Sequence, residues 1–268
     1  MRATVLIAWN VFRESVRDKV LYNLVLFAIV LIGASYLIGQ LTAGQDVKII
    51  KDLGLAATSI FGLFIAVFIG IGLVSKEVER RSIYGLLAKP IERHQLVIGK
   101  YIGLTLTLAV NLTVMAFALY GVLAVMAWRT DPLVVKAWDA PALDPALLQA
   151  VILTFVELAI VTAIALFFST FSTPLLSAAM TVLLFIAGRF SEDLRHFNDV
   201  VESGAAATLA RALYWILPNL APFDVRMQVV HGIPVPLGYV ALTAAYGAVY
   251  VAALLTLAAA IFSRRDFK

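Results

Sequence analysis

The sequence predicts an all-α membrane protein with an N-terminal interfacial helix, six transmembrane helices, a short cytoplasmic helix and two external helices between spans five and six. Two observations support this fold class. Of the 268 residues, 62% are hydrophobic and only 14% are charged, and long apolar runs carry no charge at all. A soluble domain is nearer half apolar and a quarter charged. At this length we expect one membrane domain, residues 1–268, without a second globular domain.

Several kinds of site or partner find no support in the composition. The chain has no cysteine, which excludes disulfides and thiolate metal sites. The histidines His94, His196 and His231 lack the spacing of metal ligands, so we predict no metal site. The basic residues form no patch with interleaved aromatic side chains. The net charge of +4 therefore relates to placement in the membrane and not to nucleic acid.

Residues 4–19 predict the first helix, which precedes the apolar runs. At helical spacing they form two stripes, the apolar one with Val5, Trp9, Phe12 and Val16 and the polar one with Asn10, Arg13, Glu14 and Arg17. Such a helix is typical of a segment that lies in the membrane interface. The alternative is a charged N-terminal flank.

The long apolar runs set the number of spans, because a helix needs about 20 apolar residues to cross the bilayer. Charge-free runs cover residues 20–45, 53–75, 101–128, 158–188 and 227–263. The fourth run extends back to Ala146 if Glu157 is tolerated, and it is then too long for one span. We divide it at Ser172-Thr173-Pro174, which gives spans over 146–171 and 174–188 and a total of six.

The distribution of basic residues predicts that both termini are cytoplasmic. With the N-terminus inside, the cytoplasmic segments hold 13 of the 21 Lys and Arg residues and the outer segments hold 8. The longest outer connection is residues 189–234, which predicts two short external helices: one capped by Ser191, and one that ends in Tyr214-Trp215 at the membrane boundary. These helices fit an external gate or a structural cap.

The connection between spans two and three, residues 76–100, is the candidate docking site. Its middle predicts a short helix with a small apolar face formed by Ile83, Leu86 and Leu87. Pro90 ends this helix, because proline cannot continue one. Charged residues flank the apolar face: Glu77, Glu79, Arg80, Arg81, Lys89 and Arg93. The pattern suits a groove on a cytoplasmic partner, and the alternative is a solvated charged loop.

A known sequence pattern is similar to this hairpin: E-x-E-x-G-T-I/L-x-x-L-L-x-x-P-I/V-x-R, followed by G-K. Its counterpart here is residues 77–93, EVERRSIYGLLAKPIER, followed by Gly99-Lys100-Tyr101. The pattern marks permease subunits of the second, exporter-type class of ABC transporters, the ABC-2-type permease family, and the resemblance covers essentially the whole chain. The chain departs from it at Arg81, where the family usually has Gly, and at Ser82, where it usually has Thr.

The resemblance implies that the hairpin is a coupling helix that docks on an ATP-binding subunit. It also implies that two six-span subunits form one transporter and that the external helices lie over the exit. The phosphate-binding loop G-x-x-x-x-G-K-S/T is absent from the chain, since Gly99-Lys100 is followed by Tyr101. We therefore expect a permease without enzyme activity and without a cofactor of its own, and ATP and Mg on the partner.

The expected partners are an ABC ATPase subunit, a second permease copy in a homo- or heterodimer, and membrane lipid. The expected location is the inner (cytoplasmic) membrane. We expect ATP-driven export of an unidentified substrate by alternating access. The alternatives are a membrane component of an ABC-type assembly that matures exported copper enzymes, and a proton-coupled secondary carrier that uses Glu157.

Glu157 lies near the middle of the fourth predicted span, where a carboxylate costs about 2.5 kcal/mol or more. No Lys or Arg falls within a predicted span. We therefore expect a protonated Glu157 that is hydrogen-bonded to Asn111, Thr113 or a neighbouring backbone group. The alternative is a role in proton coupling or substrate contact.

Small residues recur at four-residue intervals in the second predicted span: Thr58, Gly62, Ala66 and Gly70. Small residues on one stripe allow two helices to pack closely. The stripe fits a contact between subunits and a contact within one subunit equally well.

Overall fold

The computed structural model of the chain describes residues 2–41, 46–79, 93–136, 138, 140–191 and 217–264. Its α-helices are, in chain order, α1 (Arg2–Val16), α2 (Lys19–Gln40), α3 (Asp46–Glu79), α4 (Arg93–Arg129), α5 (Pro132–Val135), α6 (Ala146–Ser169), α7 (Pro174–Arg189), α8 (Arg226–Val230) and α9 (Leu237–Arg264). A short 3₁₀ turn, Ala221–Phe223, precedes α8.

Among these helices, α2, α3, α4, α6 and α9 are long and apolar enough to cross a membrane. Each of the five charge-free runs in the sequence supplies one of them. The fifth predicted span, residues 174–188, corresponds to α7, which is apolar but has only 16 residues. At 1.5 Å per residue α7 is about 24 Å long, whereas the hydrocarbon core is about 30 Å thick.

The long helices run antiparallel to their neighbours in the chain, which gives the bundle two ends. We call the end at which α1 packs and α3 terminates the α1 end. The other end, where α2 meets α3 and where residues 130–145 join α4 to α6, is the loop end. The turn between α6 and α7 lies at the α1 end, and it forms because Pro174 starts the first turn of a new helix.

One helix boundary at the loop end differs from the predicted one. The second span was predicted from Leu53, but α3 begins at Asp46 and includes Lys51. The Lys51 side chain is fully buried and its Nζ donates a hydrogen bond of 2.8 Å to the carbonyl of Pro141. Pairing with a backbone carbonyl lets this charged residue continue the helix where hydropathy alone predicts a loop.

The last outer connection was predicted to end at residue 234, and α9 begins just after it, at Leu237. Residues 226–230 form the separate helix α8. The helical structure is interrupted between α8 and α9 at Gly232, which has a left-handed φ of 70°. Pro234 and Pro236 follow, and a proline in a helix interior removes a backbone hydrogen bond.

Helix α6 occupies the centre of the bundle. Its residues 157–166 are all buried, on every side of the helix. A helix that is apolar all round belongs inside a bundle, and α3, α4, α7 and α9 all contact α6. The position of α6 therefore decides which side chains face the interior.

The stripe of small residues on α3 packs against α6 of the same chain. A Cβ atom at Gly62 would lie 2.4 Å from Cδ1 of Leu158, and one at Gly70 would lie 2.5 Å from Cβ of Ala165. Ala66 is fully buried, and the Thr58 hydroxyl donates to the carbonyl of Gly54 within α3. At Gly62 and Gly70, the close contact is thus within one subunit.

The N-terminal helix α1 packs on the first turns of α4. A Cβ atom at Gly103 would lie 2.5 Å from the carbonyl oxygen of Ala8, and Gly99 is similarly close to Ile7. In the predicted apolar stripe, Val5 and Trp9 point away from the bundle, with 66% and 53% of their surface exposed. This arrangement leaves the apolar stripe available to lipid.

Replacing Gly70 by valine tests the contact between α3 and α6. We expect a cost of about 1–3 kcal/mol, because Ala165 has no flexible side chain that can move aside. The melting temperature of the detergent-solubilised protein should fall by several degrees. The control is Gly121→Val in α4, where no atom of another described segment lies within 4 Å of the new Cβ. Equal destabilisation by both changes would contradict the contact.

Candidate functional site

Charged side chains meet near mid-height in the bundle: Glu157, Arg189, Asp224 and Arg226. Nε and Nη2 of Arg189 donate to the two carboxylate oxygens of Glu157, at 2.8 and 2.9 Å. This two-fold geometry is the strongest that a guanidinium and a carboxylate can form. The Glu157 side chain is 1% exposed, so the pair is withdrawn from water on the carboxylate side.

The lengths of α6 and α7 bring Glu157 and Arg189 together. Glu157 lies about 18 Å along the axis from the end of α6 at Ser169, and Arg189 lies about 22 Å from the start of α7 at Pro174. Because the two helices are antiparallel and share the turn at residues 170–173, both side chains reach nearly the same height. The Arg189 guanidinium also lies 5.5 Å from the ring centre of Phe185, one turn earlier in α7.

The predicted environment of Glu157 is therefore wrong. We expected hydrogen bonds to Asn111, Thr113 or a neighbouring backbone group, but both side-chain oxygens accept hydrogen bonds from Arg189. The Thr113 hydroxyl donates to the carbonyl of Ala109 in its own helix, and Asn111 is a half-buried residue of α4. The prediction failed because it counted Arg189 with the loop, whereas the short α7 holds it inside the bundle.

A second pair adjoins the first. Nη1 of Arg189 bonds to Oδ2 of Asp224, and the same oxygen accepts from Nη2 of Arg226 at 3.0 Å. Burial by itself would raise the pKa of Asp224, but the hydrogen bond from Arg226 and the charges of Arg189 and Arg226 hold that pKa below its ordinary value. Asp224 is therefore ionised at neutral pH, and the four charges sum to zero.

Residues 217–225, which we call the plug, carry Asp224 back into the bundle. Leu220, Phe223 and Val225 in this segment are at most 2% exposed. The plug is bonded to α7 through the N–H of Leu220, which donates to the carbonyl of Gly188 at 3.0 Å. Gly188 is required there, since a Cβ atom would lie 2.7 Å from the carbonyl oxygen of Pro218.

Two tyrosines of α9 hold the other side of the plug. The N–H of Asn219 donates to the hydroxyl of Tyr246 at 2.9 Å, and the hydroxyl of Tyr239 donates to the carbonyl of Pro222 at 2.7 Å. The ring of Phe223 packs 6.3 Å from that of Tyr246. The plug thus lies between α7 and α9.

A narrow cleft leads to the charges from between α3, α6 and the plug. Its polar lining includes Ser59, Thr154, Arg189, Asp224 and Arg226. The side chains of Arg189, Asp224 and Arg226 are 20–30% exposed, in contrast to Glu157. Water therefore reaches the plug side of the cluster. The arrangement can fix two segments to each other, and it can release them when the ion pairs separate.

Comparison with known protein families decides what the chain is. A family model described as an ABC-2 family transporter protein matches residues 5–267. The chain belongs to this family. A comparison with curated proteins found no match. As an ABC-2 family transporter protein, the chain is a multi-pass membrane protein, in agreement with its long apolar helices.

Most residues predicted to dock this ABC-2 protein on a partner lie outside the described residues. These are Arg80, Arg81, Ser82, Ile83, Leu86, Leu87, Lys89 and Pro90. The backbone at Glu77 and Glu79 forms the last turn of α3, and Arg93 begins α4. The predicted external helices fall largely on residues 192–216, which are also outside the described part of the chain.

The sequence did not predict the roles of Arg189, Asp224 and Arg226. One signal was available: the run after Pro174 has too few residues before Arg189 for a full crossing of the bilayer. In the described part of the chain, no group of three or more His, Cys, Asp or Glu side chains is placed to hold a metal ion. The cluster is thus an arrangement of ion pairs and hydroxyl groups.

Replacing Arg189 by glutamine tests the buried pair. Loss of the cation leaves the Glu157 carboxylate buried without compensation, which costs about 3–5 kcal/mol. We expect a large drop in melting temperature in detergent, and recovery of most of it when Glu157→Gln is added. The exposed Arg129, changed to glutamine, is the matched control. If the double variant is no more stable than Arg189→Gln alone, the destabilisation has another origin.

Proposed function

We propose that this chain is the membrane subunit of an ATP-driven ABC exporter whose ATPase is a separate polypeptide. The observation that carries the proposal is the family match, which covers residues 5–267 and so includes every described helix from α2 to α9. ATP and Mg bind the partner, and this chain converts the partner's movement into alternating access. The substrate is the cargo that crosses the membrane.

The lengths of α3 and α4 support a docking role for the hairpin between them. The charge-free run of α3 ends at Ser75, but the helix continues to Glu79, about 6 Å farther. The helix α4 begins at Arg93, about 12 Å before its charge-free run starts at Tyr101. The hairpin therefore leaves the membrane on a helical stem, which can transmit a push on residues 80–92 into the bundle.

Two further contacts connect that stem to the rest of the bundle. The start of α4 packs on α1 at Gly99 and Gly103, and α3 packs on the central helix α6 at Gly62 and Gly70. A movement of the hairpin would thus reach the interfacial helix and the centre together. In our proposal the α1 end is cytoplasmic, the loop end faces outward, and two six-span copies, equal or different, form the transporter in the inner membrane.

The alternatives differ in what the movement does. An assembly that matures exported copper enzymes would use the same ATPase and hairpin for mechanical work on an external partner. A proton-coupled carrier would need Glu157 to exchange protons during transport. The pairing of both Glu157 oxygens with Arg189 favours a positioning role for this carboxylate and supports the ATP-driven function.

A pull-down tests the docking hairpin. The tagged chain is co-expressed with an ABC ATPase encoded beside its gene and purified in mild detergent. We expect the ATPase to co-purify with the wild type and to be lost from the Leu86→Asp/Leu87→Asp variant, because the charges disrupt an apolar contact. The matched control is Leu133→Asp/Leu143→Asp, which changes two exposed leucines at the loop end. Absence of any nucleotide-binding protein from the wild-type sample would overturn the proposal.

The carrier alternative is tested by Glu157→Gln in the purified complex. If Glu157 only positions Arg189, the variant should hydrolyse ATP more slowly but with the same dependence on pH between 5.5 and 8 (about the range in which a relay would titrate). The measurement is the ATPase rate in nanodiscs across that range. A shifted or flattened profile in the variant would favour the carrier function.

A further inference from the structure

We propose that the cleft between α3, α6 and the plug is a binding site for a small monovalent anion, for which chloride is the probe. The polar side chains that line the cleft are Ser59, Thr154, Arg189, Asp224 and Arg226. Several of them have hydrogen-bonding groups that the described part of the chain leaves unused. The site lies within this chain, so it would bind its anion whether or not the chain acts with an ATPase.

Two hydroxyl groups in the cleft, those of Ser59 on α3 and Thr154 on α6, have no hydrogen-bond partner among the described residues. Thr58, next to Ser59, behaves differently, because its hydroxyl donates to the carbonyl of Gly54 at 2.8 Å. A serine or threonine in a helix can make this bond to its own backbone or turn its hydroxyl elsewhere. The hydroxyls of Ser59 and Thr154 therefore remain available as donors in the cleft.

Both arginines of the cluster also have N–H groups left over. Arg226 bonds to Asp224 through Nε and Nη2, at 3.4 and 3.0 Å, and its Nη1 has no partner in the described part of the chain. Arg189 bonds to Glu157 through Nε and Nη2 and to Asp224 through Nη1. Because each Nη carries two N–H groups, Arg189 retains donors as well.

The nearest acceptors are already used. Oδ1 of Asp224 accepts from the backbone N–H and from Nε of Arg226, at 3.2 and 3.4 Å, and Oδ2 accepts from both guanidinium groups. Both side-chain oxygens of Glu157 bond to Arg189. The cleft therefore presents more donors than acceptors. An anion can accept several hydrogen bonds at once, and those from a guanidinium are the strongest it can receive.

The charges that face the cleft also favour an anion. The side chains of Arg189, Asp224 and Arg226 are 20–30% exposed, whereas Glu157 is withdrawn behind Arg189. Two cations and one carboxylate thus line the cleft, and together they give it a positive charge. This charge attracts an anion more strongly than it would in bulk water, because water is partly excluded from a narrow cleft.

The size of the cleft limits the ligand. Its volume, including the mouth, is about 250 Å³, which is below the roughly 300–1,000 Å³ of sites for drug-sized molecules. The other walls include Leu55, Ala150 and Phe223, which offer no polar side-chain group. A monoatomic anion fits this space, because it needs donors only on the side where the arginines and hydroxyls lie.

A bound anion joins three segments of the bundle. Arg226 begins α8, which packs on α3 and α6 and has buried side chains at Val229 and Val230. Ser59 and Thr154 belong to α3 and α6 themselves. An anion held by all three residues therefore fixes α8 to the two helices beneath it. We expect chloride to stabilise the chain, because a ligand that binds only the folded state favours that state.

Removing the two hydroxyls tests the site and leaves every ion pair of the cluster in place. The variant is Ser59→Ala/Thr154→Val. Chloride is titrated into the full chain in a non-ionic detergent, with gluconate holding the ionic strength constant, and the linewidth of the chloride NMR signal is recorded. We expect the wild type to broaden the signal saturably. The variant should bind chloride about tenfold more weakly, because hydrogen bonds to the anion are lost.

The melting temperature gives a second measurement on the same samples. Replacing gluconate by chloride should raise it by several degrees in the wild type and much less in the double variant. The matched control is Thr113→Val/Thr256→Val, which removes two exposed hydroxyls that donate to carbonyls of their own helices. This control should respond to chloride as the wild type does.

A further variant keeps the test decisive if the double variant is unstable. Arg226→Lys retains the positive charge but has no Nη1 group, and it should also weaken chloride binding. Absence of saturable broadening by the wild type would mean that the cleft holds water alone and would overturn the site. An equal response of the wild type and all variants would show a general effect of salt and would overturn it too. Neither result bears on the proposed function, since no ATPase takes part.

Discussion

The burial of Glu157 at the centre of the bundle is the constraint on which the architecture of this ABC-2 family protein depends. A carboxylate that is 1% exposed in an apolar helix is stable only with a cation and with its hydrogen bonds made. Arg189 meets that need, and it can do so only if α7 ends near mid-height. The chain must then fill the remaining half of the bundle by other means. In the described part of the chain the plug packs there and adds Asp224 to the cluster, and α8 adds Arg226.

The same constraint explains why α6 is surrounded so tightly. A buried ion pair gains from a low dielectric only if water is kept away on all sides. Close approach of α3 at Gly62 and Gly70 closes one side, and Gly247 lets α9 approach Val156 next to Glu157 on another side. Small residues on two helices therefore have an electrostatic consequence as well as a packing one. The open side is the cleft, where the more exposed charges lie.

Much of the fold could be predicted from hydropathy, because five apolar runs become five long helices and Pro174 marks the start of a sixth. The height of a residue within the bundle could not be predicted from hydropathy, because it depends on where neighbouring helices end. Counting Arg189 as a loop residue was reasonable from its position in the sequence, yet that error hid the partner of Glu157. Lys51 was misplaced for a similar reason, since its partner is a carbonyl 90 residues away. In contrast, the outer connection predicted to end at residue 234 agrees with the start of α9 at Leu237, where Gly232, Pro234 and Pro236 mark the boundary in the sequence.

The identity of the cation next to Glu157 also bears on how the protein couples energy. A proton relay must pass protons between a carboxyl group and water, so its carboxyl needs a free oxygen and an exposed state. Glu157 has neither in this structure, and its partner is a guanidinium, which does not release its proton in proteins. A lysine at position 189 would behave differently, because a buried ammonium group can release a proton and so lose its charge. With arginine, the cation of the pair stays charged, and the energy for a conformational change has to come from outside the cluster. A partner that hydrolyses ATP and pushes on a helical stem is a source of that kind.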